Sequence, residues 1–393
     1  MLGTRREENA DMKLLFMPYA STSGTWGSTV YLLAIARAAR QRGHEVLFHA
    51  CAPSSRLLVE NGFEVRDFEG ATGPDADARG AIRDIYDVFT TLGLDRPDYW
   101  RHLLEIERDV IEDVQPDVVI ADMRPTAAIS ARRCGVPTVG LASIGTDPRL
   151  QKRPEDQALD ELARESARPF LGDTVESLPD LLFWSADRKI ATSFAQFEPE
   201  LSDVPGIRYI GYLDGTNRRG LGDLPPRPER LVLAYLSTVG WNSDTMVRSL
   251  ARSAELAGVH VWCVTNANGR MVDVGDHLRL FDYLPLDELL PESDGLLFHG
   301  GQGTALASLF HGIPAIACPG QNYERQYNAD RIEGLGCGVH ASVMDLRPRT
   351  LSGLFSRIVD DPGVRTAARS AQALLRALPG SAGAVDVIES RRP

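Results

Sequence analysis

Phe298-His299-Gly300-Gly301-Gln302-Gly303-Thr304, running on into Ala305 to Phe310 (ALASLF), is the stretch that decides how this chain reads. The apolar run before it, Gly295 to Phe298, has the length of a short buried strand. Three glycines in four positions follow, then a Thr, then a helix-forming segment. Strand, glycine turn and helix start come in that order. Glycine lets a backbone approach a ligand closely, and the first N–H groups of a helix have no carbonyl of their own. With the helix dipole they make an anion site, most naturally for phosphate. His299 adds a charge-assisted hydrogen bond there if it is protonated. The glycines alone would also suit a plain strand-to-helix connection; His299 and Thr304 at the two ends of the turn favour the ligand.

Working outward, the same alternation recurs on both sides. Arg230 to Leu236, Val259 to Val264, Leu278 to Phe281 and Ala315 to Cys318 read as strands of one β/α domain. Upstream, Lys13 to Pro18 is a strand, Ser28 to Arg42 a helix with Ser28 as a plausible N-cap, and Glu45 to Ala50 a second strand. That is a β–α–β unit, which implies a parallel sheet. Asp117 to Ala121, Thr138 to Ala142, Lys189 to Ser193 and Arg208 to Tyr212 extend the pattern. Residues 67–115 are less regular, with a loop over 70–80 and helical spacing from Tyr86 to Val114; 146–180 reads as charged short helices. Gly, Pro and charge without apolar periodicity mark 213–229 as a linker. The expectation is α/β: an N-terminal domain over 12–212, a linker over 213–229 and a C-terminal domain over 230–393, facing each other across a cleft. The last helix is expected to pack back on the first domain.

Composition narrows the partners. A formal charge of −12 over 393 residues argues against nucleic acid and against an anionic membrane. No apolar run reaches membrane-spanning length and no signal-peptide pattern precedes Met12. Cys51, Cys134, Cys263, Cys318 and Cys337 are scattered, so no disulfide framework or zinc site is readable and a reducing cytoplasm fits. Asp75-Ala-Asp77 has the form of a metal-binding pair, but it follows no apolar strand, and no metal or cofactor is expected. A second hydroxyl-bearing turn at Ser237-Thr238 follows a strand; an N-cap would use the same residues. Glu324, with Gln and Asn neighbours, has the chemistry to accept sugar hydroxyls, as would many solvated loops. Asp122, at the carboxyl end of a strand, faces the ligand side of an α/β sheet, with helix capping as its plainer role. His44, His49, His102, His260, His277, His311 and His340 show no ligand spacing.

Together these residues resemble the GT-B-fold, nucleotide-sugar-dependent glycosyltransferases of the bacterial natural-product branch. The resemblance rests on Leu284-Pro-Leu-Asp-Glu-Leu-Leu-Pro291, then His299 to Thr304, Gly312-Ile-Pro314, Pro319, Glu324, Asn328-Ala329 and Gly336. Arg42-Gly-His-Glu-Val46 and Lys189 to Ser193 leading to Phe197-Glu-Pro199 extend it. It implies a GT-B pair of Rossmann-like domains and a metal-independent hexosyltransferase acting on a small-molecule acceptor. The donor would be TDP-linked by preference, with UDP and GDP as alternatives; a homodimer stays open. By resemblance, His299 and the amides of Gly301, Gly303 and Thr304 would hold the donor diphosphate, with Thr238 helping. Leu284 would lie against the base, and Glu324, Arg325 and Asn328 near the base and sugar; the family usually has Asp-Gln where this chain has Glu324-Arg325. Ile332 stands where retaining enzymes often place a second glutamate, so an inverting course is expected.

The chain departs from its family at one place. Where the family has the His that deprotonates the acceptor, the count from Arg42-Gly43-His44 falls on Ser28, while Asp122 matches the Asp that orients that His. A serine hydroxyl is no base near neutral pH. Asp122 is the favoured replacement, ahead of Asp147, Glu155 or His102. An acidic acceptor such as a thiol, which would make an S-glycosyltransferase, is the next reading. A non-catalytic auxiliary partner and a sugar-nucleotide epimerase or hydrolase complete the alternatives.

Overall fold

The computed structural model describes residues 11–22, 27–73, 81–149, 157–213, 224–236, 244–265 and 272–390. The chain divides into two compact units: Met1–Gly215 with Pro379–Pro393, and Thr216–Leu378.

The first unit is built on strands β1 (Lys13–Met17), β2 (Glu45–Cys51), β3 (Glu64–Phe68), β4 (Val118–Ala121), β5 (Thr138–Leu141), β6 (Arg188–Ala191) and β7 (Ile207–Tyr209). They form one sheet in the order β3-β2-β1-β4-β5-β6-β7, parallel throughout. A parallel sheet covered on both faces needs strands apolar on both sides. β1 shows it: Leu14, Leu15, Phe16 and Met17 are all fully buried. β3 escaped the sequence reading because it is an edge strand of sequence EVRDF, with three of its five residues exposed. Polar edge strands discourage pairing with other chains, and the same polarity hides them from pattern reading.

The second unit repeats the plan with β8 (Leu231–Tyr235), β9 (His260–Val264), β10 (Val272–Asp273), β11 (Leu278–Phe281), β12 (Gly295–Phe298), β13 (Ala315–Ala317) and β14 (Gly338–His340). Their order is β10-β11-β9-β8-β12-β13-β14, with only the two-residue β10 antiparallel. β12 lies between β8 and β13, so His299 follows a strand inside the sheet.

Two local readings change. The first helix runs Gly27–Gln41, so Ser28 sits inside its first turn, not ahead of it as a cap. The expected short helices over 146–180 include a continuous 15-residue helix, Gln157–Leu171, which keeps Pro169 within it. The last helix, Gly380–Glu389, belongs to the first unit. Arg42 donates to Asp386 at 2.7 Å, Glu389 at 2.9 Å and the Ala382 carbonyl at 2.8 Å. His44 accepts from the Met12 N–H at 3.2 Å, which leaves its Nε2 to donate to Glu389 at 2.9 Å. The Arg42-Gly43-His44 motif thus fastens the end of the chain.

Candidate active site

In the second unit, His299 is 7% exposed and its Nδ1 lies 3.2 Å from the Tyr235 carbonyl. A carbonyl only accepts, so Nδ1 carries the proton and Nε2 keeps a lone pair. Burial first, then the charge of Arg325, lowers the His299 pKa to about 4, against the Tyr235 bond, which raises it. The imidazole is neutral near pH 7. The charge-assisted bond expected from the sequence therefore needs a proton to arrive with the anion.

The glycines of the turn are fixed by space and handedness. Gly300 has φ +86°, and a Cβ there would stand 2.9 Å from the Arg325 carbonyl oxygen, 3.0 Å from its Cβ and 3.2 Å from that of Pro319. On Gly301, a Cβ would stand 2.9 Å from His299 Nε2. The ring edge that can meet a ligand is thus held over the turn. The helix Gln302–His311 begins at Gly301 with no side-chain cap, which leaves its first-turn amides to other partners. The Gln302 N–H acts on the Glu324 carboxyl and lowers its pKa. Those of Gly303 and Thr304 continue the row.

Glu324, Arg325 and Asn328 lie on the helix Tyr323–Gly334 behind this turn. Asn328, fully buried, donates from Nδ2 to the Gly300 carbonyl at 2.9 Å and sits 3.4 Å from Glu324 Oε1. Burial raises the Glu324 pKa; Arg325, Asn328 and the Gln302 amide act the other way. Glu324 and Asn328 therefore brace the turn from within the protein. Leu284 is 3% exposed in the loop between β11 and the short helix Leu286–Leu289. Thr238 and Ser237 lie outside the described residues.

In the first unit, the structure brings together the two positions singled out 94 residues apart. The Asp122 N–H donates to the Met17 carbonyl at 3.2 Å, and Ser28 Oγ donates to the Asp122 carbonyl at 3.2 Å. Ser28 is 7% exposed and its proton points at main chain, so it is no base. Capping does not account for Asp122 either: the next helix, Pro125–Arg133, has Arg124 at its N-cap and no side-chain cap bond.

Beneath Asp122 lies a buried network that sequence reasoning missed. Arg124 donates from Nε to Glu107 at 2.6 Å and from one terminal nitrogen, Nη1, to the His49 carbonyl at 2.9 Å and the Pro18 carbonyl at 3.3 Å. Thr126 at 2.6 Å and Ser130 at 2.9 Å complete the Glu107 carboxylate. The other Arg124 nitrogen lies 3.1 Å from His49 Nδ1, which must accept. Met123, between Asp122 and Arg124, has φ +53°, a costly conformation for a non-glycine that the flanking anchors hold. A signal was present: Glu107 falls on the buried face of the helix Pro97–Val114, in line with Leu103, Val110, Ile111 and Val114. A lone acid on such a face asks for a buried cation.

The other candidate bases fare differently. Asp147 is fully buried and held by Arg149 Nε at 2.9 and 3.0 Å, so it is structural. His102 is exposed, with its ring 6.2 Å from that of Tyr99. Glu155, Asp75 and Asp77 lie outside the described residues. Among the described residues no group of three or more His, Cys, Asp or Glu could hold a metal ion, and no helix is long and apolar enough to cross a membrane.

Two parallel α/β sheets with a strand–glycine turn–helix site define a GT-B protein, and the comparisons with known proteins agree. Residues 250–389 match the family described as erythromycin biosynthesis protein CIII-like, C-terminal domain. The chain has the GT-B fold and is similar to glycosyltransferases of natural-product biosynthesis. It is 26% identical to the 3-alpha-mycarosylerythronolide B desosaminyl transferase of Saccharopolyspora erythraea, across 96% of this chain and 98% of that one. With the oleandomycin glycosyltransferase of Streptomyces antibioticus the identity is 24%, across 92% and 87%. The match to the aklavinone 7-beta-L-rhodosaminyltransferase of Streptomyces galilaeus, 29% identical, spans 52% of this chain and 47% of that relative. In fold, the chain superposes on a glycotransferase of kitacinnamycin with a TM-score of 0.78 at 20% identity, covering 98% and 100% of the two chains. For the glycosyltransferase VinC, solved in complex with DTDP, the TM-score is 0.70 at 20% identity, covering 95% and 98%.

Proposed function

We propose that this chain is an inverting glycosyltransferase that moves a sugar from a nucleoside diphosphate, thymidine by preference, to a natural-product acceptor. The observation that carries this reading is the turn after β12. His299 Nε2, the tight glycines and the Gly303 and Thr304 amides make a place for the diphosphate that needs no metal. Relatives named for aklavinone, 3-alpha-mycarosylerythronolide B and oleandomycin support the acceptor class, and the DTDP complex of a fold relative supports the base. Leu284, Glu324, Arg325 and Thr238 are assigned to the donor's base, sugar and phosphates on the same reading, while Asn328, fully buried, serves the donor only by holding the turn.

In the step itself, the acceptor oxygen forms a bond to the anomeric carbon as the carbon–oxygen bond to the diphosphate breaks. The nucleoside diphosphate leaves with the electron pair, and the acceptor proton goes to the Asp122 carboxylate. Ser28 holds the Asp122 main chain and transfers nothing. One observation favours a second reading, a thiol acceptor: with Ser28 bonded to a carbonyl, Asp122 is left without the family's histidine. A thiol, with an ordinary pKa of about 8.5, needs less help to ionise than an alcohol.

The test is direct. The protein is screened by thermal melting against TDP, UDP and GDP, then incubated with the matching nucleotide sugars and a panel of hydroxyl- and thiol-bearing natural products. A nucleotide at about 100 times its dissociation constant stabilises the fold by about 2.7 kcal/mol. A sugar-sized mass gain on an acceptor, with the anomeric configuration inverted, is the expected outcome. No melting shift with any nucleotide would contradict the donor reading; retention would contradict the inverting course.

A further inference from the structure

Arg325 is a partly buried cation without a hydrogen-bond or ion-pair partner for its side chain among the described residues. It sits in the first turn of the helix Tyr323–Gly334, where Asn322 caps its N–H at 3.1 Å. A cation in a first turn opposes the helix dipole, which favours negative charge there. The side chain is partly buried, and desolvation lowers the pKa of its guanidinium, opposed only by the neighbouring Glu324. Glu324 is itself engaged by the Gln302 amide and Asn328. Among the described residues, the Arg325 side chain makes no hydrogen bond and no ion pair.

Withdrawing a charge from water without a partner is costly, and Arg124 shows how this fold otherwise handles it, with Glu107 at 2.6 Å. The position of Arg325 says what is missing. Its main chain and Cβ are wedged against Gly300, the first glycine of the turn. Its charge is the second cause, after burial, of the low His299 pKa. The guanidinium therefore belongs to the electrostatic field of the turn where His299 Nε2 and the Gly303 and Thr304 amides gather. The guanidinium and the amides favour an anion, His299 Nε2 joins them once it is protonated, and none is satisfied by a protein carboxylate.

We propose that Arg325 takes an anionic group of the donor, a phosphate oxygen of the nucleoside diphosphate, and bears the charge that grows on the diphosphate as the sugar leaves. This rests on the donor reading above and deepens it: the leaving group is stabilised by a fixed guanidinium in place of a metal ion or a permanently protonated histidine. A carboxylate on the sugar would offer the same chemistry from another part of the donor. The phosphate is favoured because Arg325 packs on the turn itself.

The experiment titrates thymidine diphosphate and thymidine monophosphate calorimetrically into the full chain, as wild type, Arg325→Gln and Arg325→Lys. A lost charge-assisted contact predicts roughly a 10–150-fold weaker diphosphate for Arg325→Gln, a much smaller change for the monophosphate, and partial recovery in Arg325→Lys. Melting without nucleotide separates binding from folding: removing an unpaired cation leaves the melting temperature equal or higher, whereas a structural role lowers it. Wild-type affinity for the diphosphate in Arg325→Gln overturns the inference, as does equal weakening of both nucleotides. A loss seen only with a donor whose sugar carries a carboxylate also overturns it, moving the contact to the sugar. If the wild type binds none of TDP, UDP and GDP, the donor reading itself falls, and Arg325 with it.

Discussion

The turns after β12 and after β4 both lead from the end of a parallel strand into a helix, and they are held in different ways. The first is held by small residues: Gly300 at φ +86° fits against Arg325 and Pro319, and Gly301 leaves room for the His299 ring. The second is held by charge: Met123 at φ +53° is fixed by a buried Arg124 that reaches β2 through His49 and the helix Pro97–Val114 through Glu107. A turn made of glycines stays open at its amides and suits an anion. One anchored by a buried ion pair has its polar groups satisfied and instead sets a single side chain, Asp122, in place.

The sharpest way to break this contrast is Asp122→Asn. General-base help is worth about 10²–10⁴-fold, so turnover should fall by that factor while nucleotide affinity stays as it was. Steady-state rates followed against pH check it. A loss of only a few-fold, with a profile that follows the acceptor's own ionisation, would remove Asp122 from the mechanism and favour the thiol acceptor.

Next in size is Glu107→Ala. Leaving a buried arginine unpaired typically costs about 3–5 kcal/mol. Urea unfolding should show that loss in the transition that reports the first unit, and an unchanged midpoint would mean that the pair does not hold the turn.

That pair also marks where the sequence could be read and where it could not. The turn after β12 is contiguous, and glycine, histidine and threonine mark it as a candidate anion site by type; the two α/β domains followed from the strands on either side, and GT-B from the resemblance. β3, β10 and β14 were missed because edge strands are short or polar. The network under Asp122 was missed because Arg124 meets residues 17 and 75 positions away, Glu107 and His49, which only the fold brings together. Ser28 and Asp122 could be matched by resemblance, but not the direction of the Ser28 hydroxyl, which meets the Asp122 carbonyl.

The two buried histidines sharpen the comparison through pH. His49 is pushed down to about 2 by burial and by Arg124, and His299 to about 4 by burial and Arg325. Both fold neutral, while the unfolded chain takes up protons below the ordinary value of about 6.5. Stability should therefore fall with acid at about 1.4 kcal/mol per pH unit for each group, down to about pH 4 for His299 and further for His49. A bound diphosphate should raise only the His299 pKa. Calorimetry between pH 5 and 7 in buffers of different ionisation enthalpy should show proton uptake on nucleotide binding, and affinity should weaken as pH rises. Binding without proton exchange would mean that the imidazole stays neutral against the phosphate.

The smallest effect belongs to Ser28→Ala. It removes one hydrogen bond to a carbonyl, worth about 0.5–1.5 kcal/mol of stability, and turnover should stay within about tenfold of wild type. A drop as large as that of Asp122→Asn would make the serine a participant in the chemistry.

The donor assignment itself is tested most directly by titrating thymidine diphosphate into the wild type and into His299→Ala at one pH and salt concentration. Loss of the histidine contact should weaken binding by roughly 10–150-fold, with the fold intact by circular dichroism. Equal affinity in the two proteins would contradict the assignment of the turn after β12 as the diphosphate site.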